Sequence, residues 1–242
     1  MLIHELIEEV KDKAIATEVS WVGIGISYVG VVSKNMGLAY VFRDELRGCC
    51  EVIEMAGEFP KDAGTLVRLA TSSNALDSAV GIATINSLTE PYNTTKGDAI
   101  DLLEVNSKDR VGMVGFFEPF LDRLRSMTRE LYVFERGYFD LPFVYPDWAA
   151  EMLLPKVDIA IITGTSVINK TLDHLLELAS NAKAIAVVGP STPLIPGPFK
   201  KRGVSLLSGM VVKDIEKAKE IISQGGGTRK LAKVSEKVNL IL

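Results

Sequence analysis

The sequence predicts an α/β protein, with a Rossmann-like parallel-sheet domain over residues 98–242 preceded by a small α+β domain over residues 1–95. Three observations predict it. From residue 98 onward, short apolar runs alternate with helix-length segments, as strands buried on both faces do when helices connect them. Three of those runs end at a glycine: Gly115, Gly164 and Gly189. Before residue 95 the order differs, with three β-rich runs in succession and no helix between them.

The elements follow in order. In residues 2–14, Leu2, Ile3, Leu6, Ile7 and Val10 recur at helical spacing, opposite Glu5, Glu8 and Glu9. Residues 18–27, 29–33 and 37–42 are β-branched or aromatic, parted by Gly and Asn, and read as a β-meander. Helices follow over 63–71 and 75–88, the second capped by Ser73 or Asn74. The turn-rich stretch Pro91-Tyr-Asn-Thr-Thr-Lys-Gly97 marks the boundary between the two domains. Beyond it come a strand at 110–114, a helix from about 119 to 125, a strand at 131–134 and a short one at 139–145. A helix over 147–154 takes Asp147 as its cap. A strand at 157–162, a helix at 170–179 and a strand at 184–188 come next. A last core strand at 204–207 and a last long helix at 215–223 complete the pattern.

Composition narrows the partners. A net charge of −4 and 7% aromatic residues argue against a nucleic-acid surface. The lysines between Lys213 and Lys219 alternate with Asp214 and Glu216, the pattern of a solvated helix face. No run of 18 apolar residues occurs, so no membrane span is expected. The opening residues mix acids among apolar side chains, unlike a signal peptide. Cys49 and Cys50 are adjacent, which suits a reduced pair better than a disulfide. A cytoplasmic protein is the expectation.

Ligands of open parallel sheets bind at the carboxyl ends of strands, where strand order reverses. The strands ending at Gly115, Gly164 and Gly189 would be neighbours there in the common order. Glycine lets a ligand approach backbone amides, and the following helices would aim their free N–H groups into the same crevice. Phe116, Phe117, Thr163, Thr165, Pro190, Ser191 and Thr192 flank these tips. Asn169 either caps the next helix or contacts the ligand. The collection favours a small anionic molecule, one carrying a carboxylate, phosphate or other polar anion.

Glu135 stands 20 residues after Gly115, where a ribose-binding carboxylate would sit in a dinucleotide site. The glycine fingerprint is absent, because Phe116 and Phe117 occupy the turn, so the usual mode of NAD binding is not expected. His4 and His174 fall on helices away from the tips, so no Ser-His-Asp or Cys-His set assembles there. Carboxylates near the tips, Glu118 and Glu135 foremost, are the candidates for a metal or for acid/base chemistry.

At Val114-Gly-Phe-Phe117, at residues 154–172, at Val188-Gly-Pro-Ser-Thr-Pro193 and at Ile82-Ala-Thr-Ile-Asn86, the chain resembles an uncharacterised prokaryotic family. Its members join an enolase N-terminal-like domain to a Rossmann-like "putative heavy-metal chelation" domain. The resemblance covers nearly the whole chain. It implies an enolase-like first domain, a cleft between the domains, a homodimer, and handling of a metal or metal chelate, with an unidentified metal ion as cofactor. It also implies that Asn86 or the Arg43-Asp44 region faces the tips. Three functions fit: metal or metal-chelate handling in the cleft, an enzyme acting on an anionic metabolite or nucleotide, or a non-enzymatic ligand-binding module.

Overall fold

The computed structural model describes residues 1–46, 55–137 and 140–242. Cys49, Cys50 and Phe139, the first residue of the expected 139–145 strand, lie outside the described residues.

Helix α1 (Leu2–Ile15) turns Leu2, Ile3, Leu6, Val10 and Ala14 inward, as its apolar spacing requires. Strands β1 (Trp21–Ile24), β2 (Tyr28–Val32) and β3 (Met36–Tyr40) form an antiparallel meander. Helix α2 (Ala63–Arg68) is capped by Asp62, which accepts the Thr65 N–H. Helix α3 (Ala75–Ser87) is capped by Asn74, which accepts the Leu76 and Asp77 N–H groups and so decides between the two expected caps. α3 is buried on nearly every side, and β3 crosses it closely. A Cβ on Gly37 would stand 1.9 Å from the Ala83 carbonyl oxygen, so only glycine allows that approach.

The second part runs α4 (Ala99–Leu102), β4 (Arg110–Val114), α5 (Glu118–Met127), β5 (Glu130–Glu135) and β6 (Val144–Pro146). It continues with α6 (Ala150–Leu153), β7 (Ile159–Thr163), α7 (Leu172–Leu178), β8 (Ala184–Val188) and α8 (Pro196–Lys200). β9 (Leu206–Val212), α9 (Ile215–Ser223), α10 (Thr228–Leu231) and β10 (Ser235–Ile241) close it. The sheet order is β10-β9-β8-β7-β4-β5-β6. All neighbours are parallel except β10, which pairs antiparallel with β9. The 204–207 run is therefore not the last strand, and the sheet is mostly rather than wholly parallel. Asp147 also sits one residue inside its helical turn, where it accepts the Trp148 N–H. The helix expected from Lys170 begins at Leu172, because Lys170 takes a left-handed φ of 64°.

The chain leaves β4 for β5 and β6, then returns to β7 on the other side of β4. Strand order thus reverses between β4 and β7. Alternate residues of each strand serve opposite faces. Ile159, Ile161, Ala186 and Val188 pack with α4 and α5. Ala160, Ile162, Ile185 and Val187 join a single core with α1, α2, α3 and α7, so the first unit and the large sheet share one interior. α9 reaches back to cover the other face of the meander, packing Ala218 and Ile222 against Tyr28, Val32, Met36 and Leu38. Among the described residues no helix is long and apolar enough to cross a membrane.

Candidate functional site

The register places the ends of β4, β7 and β8 side by side. Each tip glycine has its own physical reason. Gly115 has φ 95° and Gly189 φ 118°, backbone conformations that a side chain strains. Gly164 is required by approach instead. A Cβ there would stand 2.4 Å from Thr192 Oγ1 and 2.8 Å from the Thr192 nitrogen, because the loop after β8 lies against it.

The backbone amides at these tips are largely spoken for within the protein. Gly115 N–H donates to the Phe134 carbonyl and Gly189 N–H to that of Ser208, both at 2.9 Å. Thr192 N–H donates to the Gly189 carbonyl, and Thr165 N–H to Thr163 Oγ1. Glu135 does return to the β4 tip, as its spacing suggested, but its carboxylate accepts the Phe116 N–H at 2.9 Å and the Arg136 N–H at 2.8 Å. It fills the place that a ligand anion would claim. The helices also contribute less than expected. α5 opens close behind β4, whereas β7 leads into a 3-10 turn, Gly164–Val167, and α8 begins only at Pro196. What remains at the reversal point is the hydroxyl pair of Thr163 and Thr165, 3.0 Å apart and half-buried, with the half-buried Phe116 and Phe117 rings.

The first unit is bonded to the loop after β8. Tyr40 N–H, at the end of β3, donates to Ser191 Oγ at 2.9 Å. Asn86 Nδ2, near the end of α3, donates to the Leu38 carbonyl at 2.9 Å and to the Ser191 carbonyl at 3.3 Å. Ser191 and Thr192 are 0% and 3% exposed, so both belong to the seam between the units. Beside this clasp, on the β8–β9 side, lies a small cleft open to solvent. Asn35, Met36, Asn86, Pro190, Thr192 and Met210 are among its lining residues. Asn86 Oδ1 and Thr192 Oγ1 are buried without a hydrogen-bond partner among the described residues. Asn35, Met36 and Met210 were not singled out from the sequence, since a turn residue and two thioethers carry no local signal of a site.

The other candidates stand apart. Asn169 Oδ1 accepts the Thr171 N–H and hydroxyl, a local turn. Arg43 is exposed, with its guanidinium 3.8 Å from its neighbour Asp44. Glu45 of the same turn pairs with Arg136 just past β5, which sets the Arg43 segment near that strand's end. Glu118 pairs with Arg229. His4 and His174 are exposed on helices, His174 bonded to Glu151 at 2.6 Å. Among the described residues no group of three or more His, Cys, Asp or Glu side chains is placed to hold a metal ion.

A second seam forms around Lys170, which sequence reasoning did not mark. Its ammonium donates to the Ser72 and Ile168 carbonyls and to Ser78 Oγ, joining the segment between α2 and α3 to the chain after β7. Burial pushes its pKa down to about 8, with the Asp77 charge opposing.

Residues 98–241 match the family profile DUF364, described as "Putative heavy-metal chelation", and residues 7–89 match DUF4213, which carries the same description. An uncharacterised protein of Methanocaldococcus jannaschii is 29% identical over 201 residues, 79% of this chain and 77% of that one. The crystal structure of a DUF364-family protein of unknown function from Pyrococcus horikoshii is similar with a TM-score of 0.88 at 25% identity, covering 100% of both chains. Another from Desulfitobacterium hafniense, also of unknown function, gives a TM-score of 0.81 at 28% identity, covering 98% of this chain and 99% of that one.

Proposed function

The chain belongs to the DUF364 family, and from that premise we propose that it binds a small molecule at the strand tips beside the seam of its two units, with the family's heavy metal arriving as a chelate. The described residues do not fit a bare heavy-metal ion. Glu135 is committed to two backbone amides and Glu118 to Arg229. Neither histidine is at the tips, and a soft ion prefers thiolate or imidazole ligands. A chelate instead presents an organic surface, which hydroxyls and aromatic rings recognise without ligating the metal.

The observation that carries this reading is the Thr163–Thr165 hydroxyl pair at the point where strand order reverses. Bare glycine backbone at Gly115 and Gly189 and the Phe116 and Phe117 rings lie at the same edge. The homodimer implied by the sequence resemblance is part of the proposal.

The test is native mass spectrometry of the freshly purified protein beside elemental analysis. The expected result is an added organic mass with stoichiometric metal, both lost together in a Thr163→Val/Thr165→Val variant, and a dimer in the same spectrum. Metal retained with no added organic mass would sink the chelate reading.

A further inference from the structure

We propose that the molecule seated at the strand tips carries a vicinal diol of the ribose type, held by Glu135, and no diphosphate: a ribonucleoside or a simple riboside. This deepens the reading above and rests on its strand-tip site, though not on the metal. The tip edge is open to solvent. In sheet order, Glu135 ends β5, Gly115 and Phe116 follow β4, Thr163 and Thr165 stand at β7, and Gly189 follows β8. All six are half-buried, so they form one accessible strip along four adjacent strands. Neighbouring strands lie roughly 4.8 Å apart, and the strip is therefore about 14 Å long, enough for a sugar and a base.

Glu135 supplies the chemistry. An ionised carboxylate accepts hydrogen bonds at about four positions. Glu135 uses one on each oxygen: Oε2 takes the Phe116 N–H at 2.9 Å and Oε1 the Arg136 N–H at 2.8 Å. A position on each oxygen is left, and the two amides fix the direction of both. The Arg136 guanidinium turns away to Glu45 and Asp147. Two acceptors side by side match two donors on adjacent carbons, the cis-hydroxyls of ribose. A diol asks less of the carboxylate than a metal does, since each hydroxyl needs one lone pair and no further ligand. In dinucleotide-binding sheets a carboxylate about 20 residues past the first glycine turn holds the ribose hydroxyl, and Glu135 has that place relative to Gly115. Phe117 removes the diphosphate. A Cβ on Gly115 would stand 3.6 Å from Phe117 Cε2, and one on Gly189 4.0 Å from Phe117 Cε1, so the ring spans the two glycine turns that a diphosphate would need. Thr163 and Thr165 share one hydroxyl proton between them and have a second to donate outward, to a sugar oxygen. A guanidinium would also meet both oxygens of Glu135, but it has only donors and gives that proton no acceptor.

The test is equilibrium dialysis of the full chain against adenosine, its 2′-deoxy and 3′-deoxy analogues, ADP, methyl β-ribofuranoside and methylguanidine. Saturable binding of adenosine is expected, with either deoxy analogue weaker by about ten- to a hundredfold, the effect of losing one hydrogen bond to a charged group. This series needs no variant. Glu135→Gln should then lower adenosine to the level of its deoxy analogues. The riboside separates the two sources: binding as tight as that of adenosine assigns the strip to the sugar alone, and weaker binding assigns it to a nucleoside. ADP should gain nothing over adenosine, and tighter ADP overturns the exclusion of a diphosphate. Equal binding of adenosine and its deoxy analogues, no binding of adenosine, or methylguanidine binding in its place overturns the diol. A chelate retained in the native spectrum beside any of those results leaves the chelate reading standing without the diol. The deoxy discrimination beside a metal-free spectrum supports the diol and tells against the chelate alone.

Discussion

Replacing Ser191 by alanine separates a hydroxyl that holds the fold from one that holds a ligand. Its Oγ accepts the Tyr40 N–H at 2.9 Å, and the residue is 0% exposed. Alanine removes the acceptor and strands a backbone donor in the seam, where water reaches poorly. Leaving such a group unpaired costs about 1–3 kcal/mol. For a chain of this length each kcal/mol moves Tm by about 2–4 °C, so the expected loss is roughly 2–12 °C. Thr192→Val makes the contrast. Its Oγ1 has no partner within the protein among the described residues, so an isosteric methyl should leave Tm unchanged or raise it slightly. Thermal melts of the two single variants and wild type are the assay. A Ser191→Ala melt that coincides with wild type would refute the reasoning, and so would Thr192→Val losing as much as Ser191→Ala.

Three further outcomes follow from the same geometry. Asn86→Ala should lower the urea midpoint by an amount equivalent to about 2 kcal/mol, because two seam carbonyls lose their donor at once; a midpoint within error of wild type would show those bonds to be idle. Gly164→Ala should destabilise by about 1–3 kcal/mol, since its Cβ meets the Thr192 backbone nitrogen at 2.8 Å and the loop must move; an unshifted urea midpoint would contradict that crowding. Arg110 grips Asp158 through its guanidinium and its backbone N–H, which depresses the Asp158 carboxyl to about 2 from 3.8. A depressed carboxylate contributes stability that is present above the unfolded value and is lost as pH falls through about 2. Asp158→Asn should therefore flatten the loss of urea stability between pH 5 and pH 2.5, and an undiminished loss would remove Asp158 from the account.

The central strands of the sheet were legible because they are continuous apolar runs. The 184–188 run coincides with β8 residue for residue. β10 escaped because only Val238, Leu240 and the polar Asn239 are buried in it, while Glu236 and Lys237 make its first half read as surface. It pairs at the sheet's edge, where one wet side is normal. The tip glycines were legible for the same local reason, and they do lie side by side. Their amides were not. Whether Gly115 or Phe116 has a free N–H depends on Phe134 and Glu135, which no periodicity joins to them. The clasp was less visible still, since Tyr40 and Ser191 are 151 residues apart and Asn86 and Ser191 are 105 apart. Ser191 and Thr192 were paired as site residues by their place beside the Gly189 tip. The fold gives the Ser191 hydroxyl a seam partner and leaves the buried Thr192 hydroxyl with none among the described residues.

The packing of α9 on the meander bears on how the chain emerges from the ribosome. Tyr28, Val32, Met36 and Leu38 line a face of β2 and β3 that α9 covers, and a Cβ on Gly25 would stand 2.2 Å from the Ile222 carbonyl oxygen. Residues 1–95 are all synthesised long before that helix. At about 5–20 residues per second, the roughly 130 residues between them take roughly 6–25 s to appear. Throughout that interval the meander presents the apolar, strand-bearing face that α9 later covers, while folding events local to it finish far sooner. Nascent chains of this protein should therefore engage holdase chaperones until α9 is out, and a stop codon placed before Ile215 should yield an aggregating product rather than a free-standing N-terminal unit.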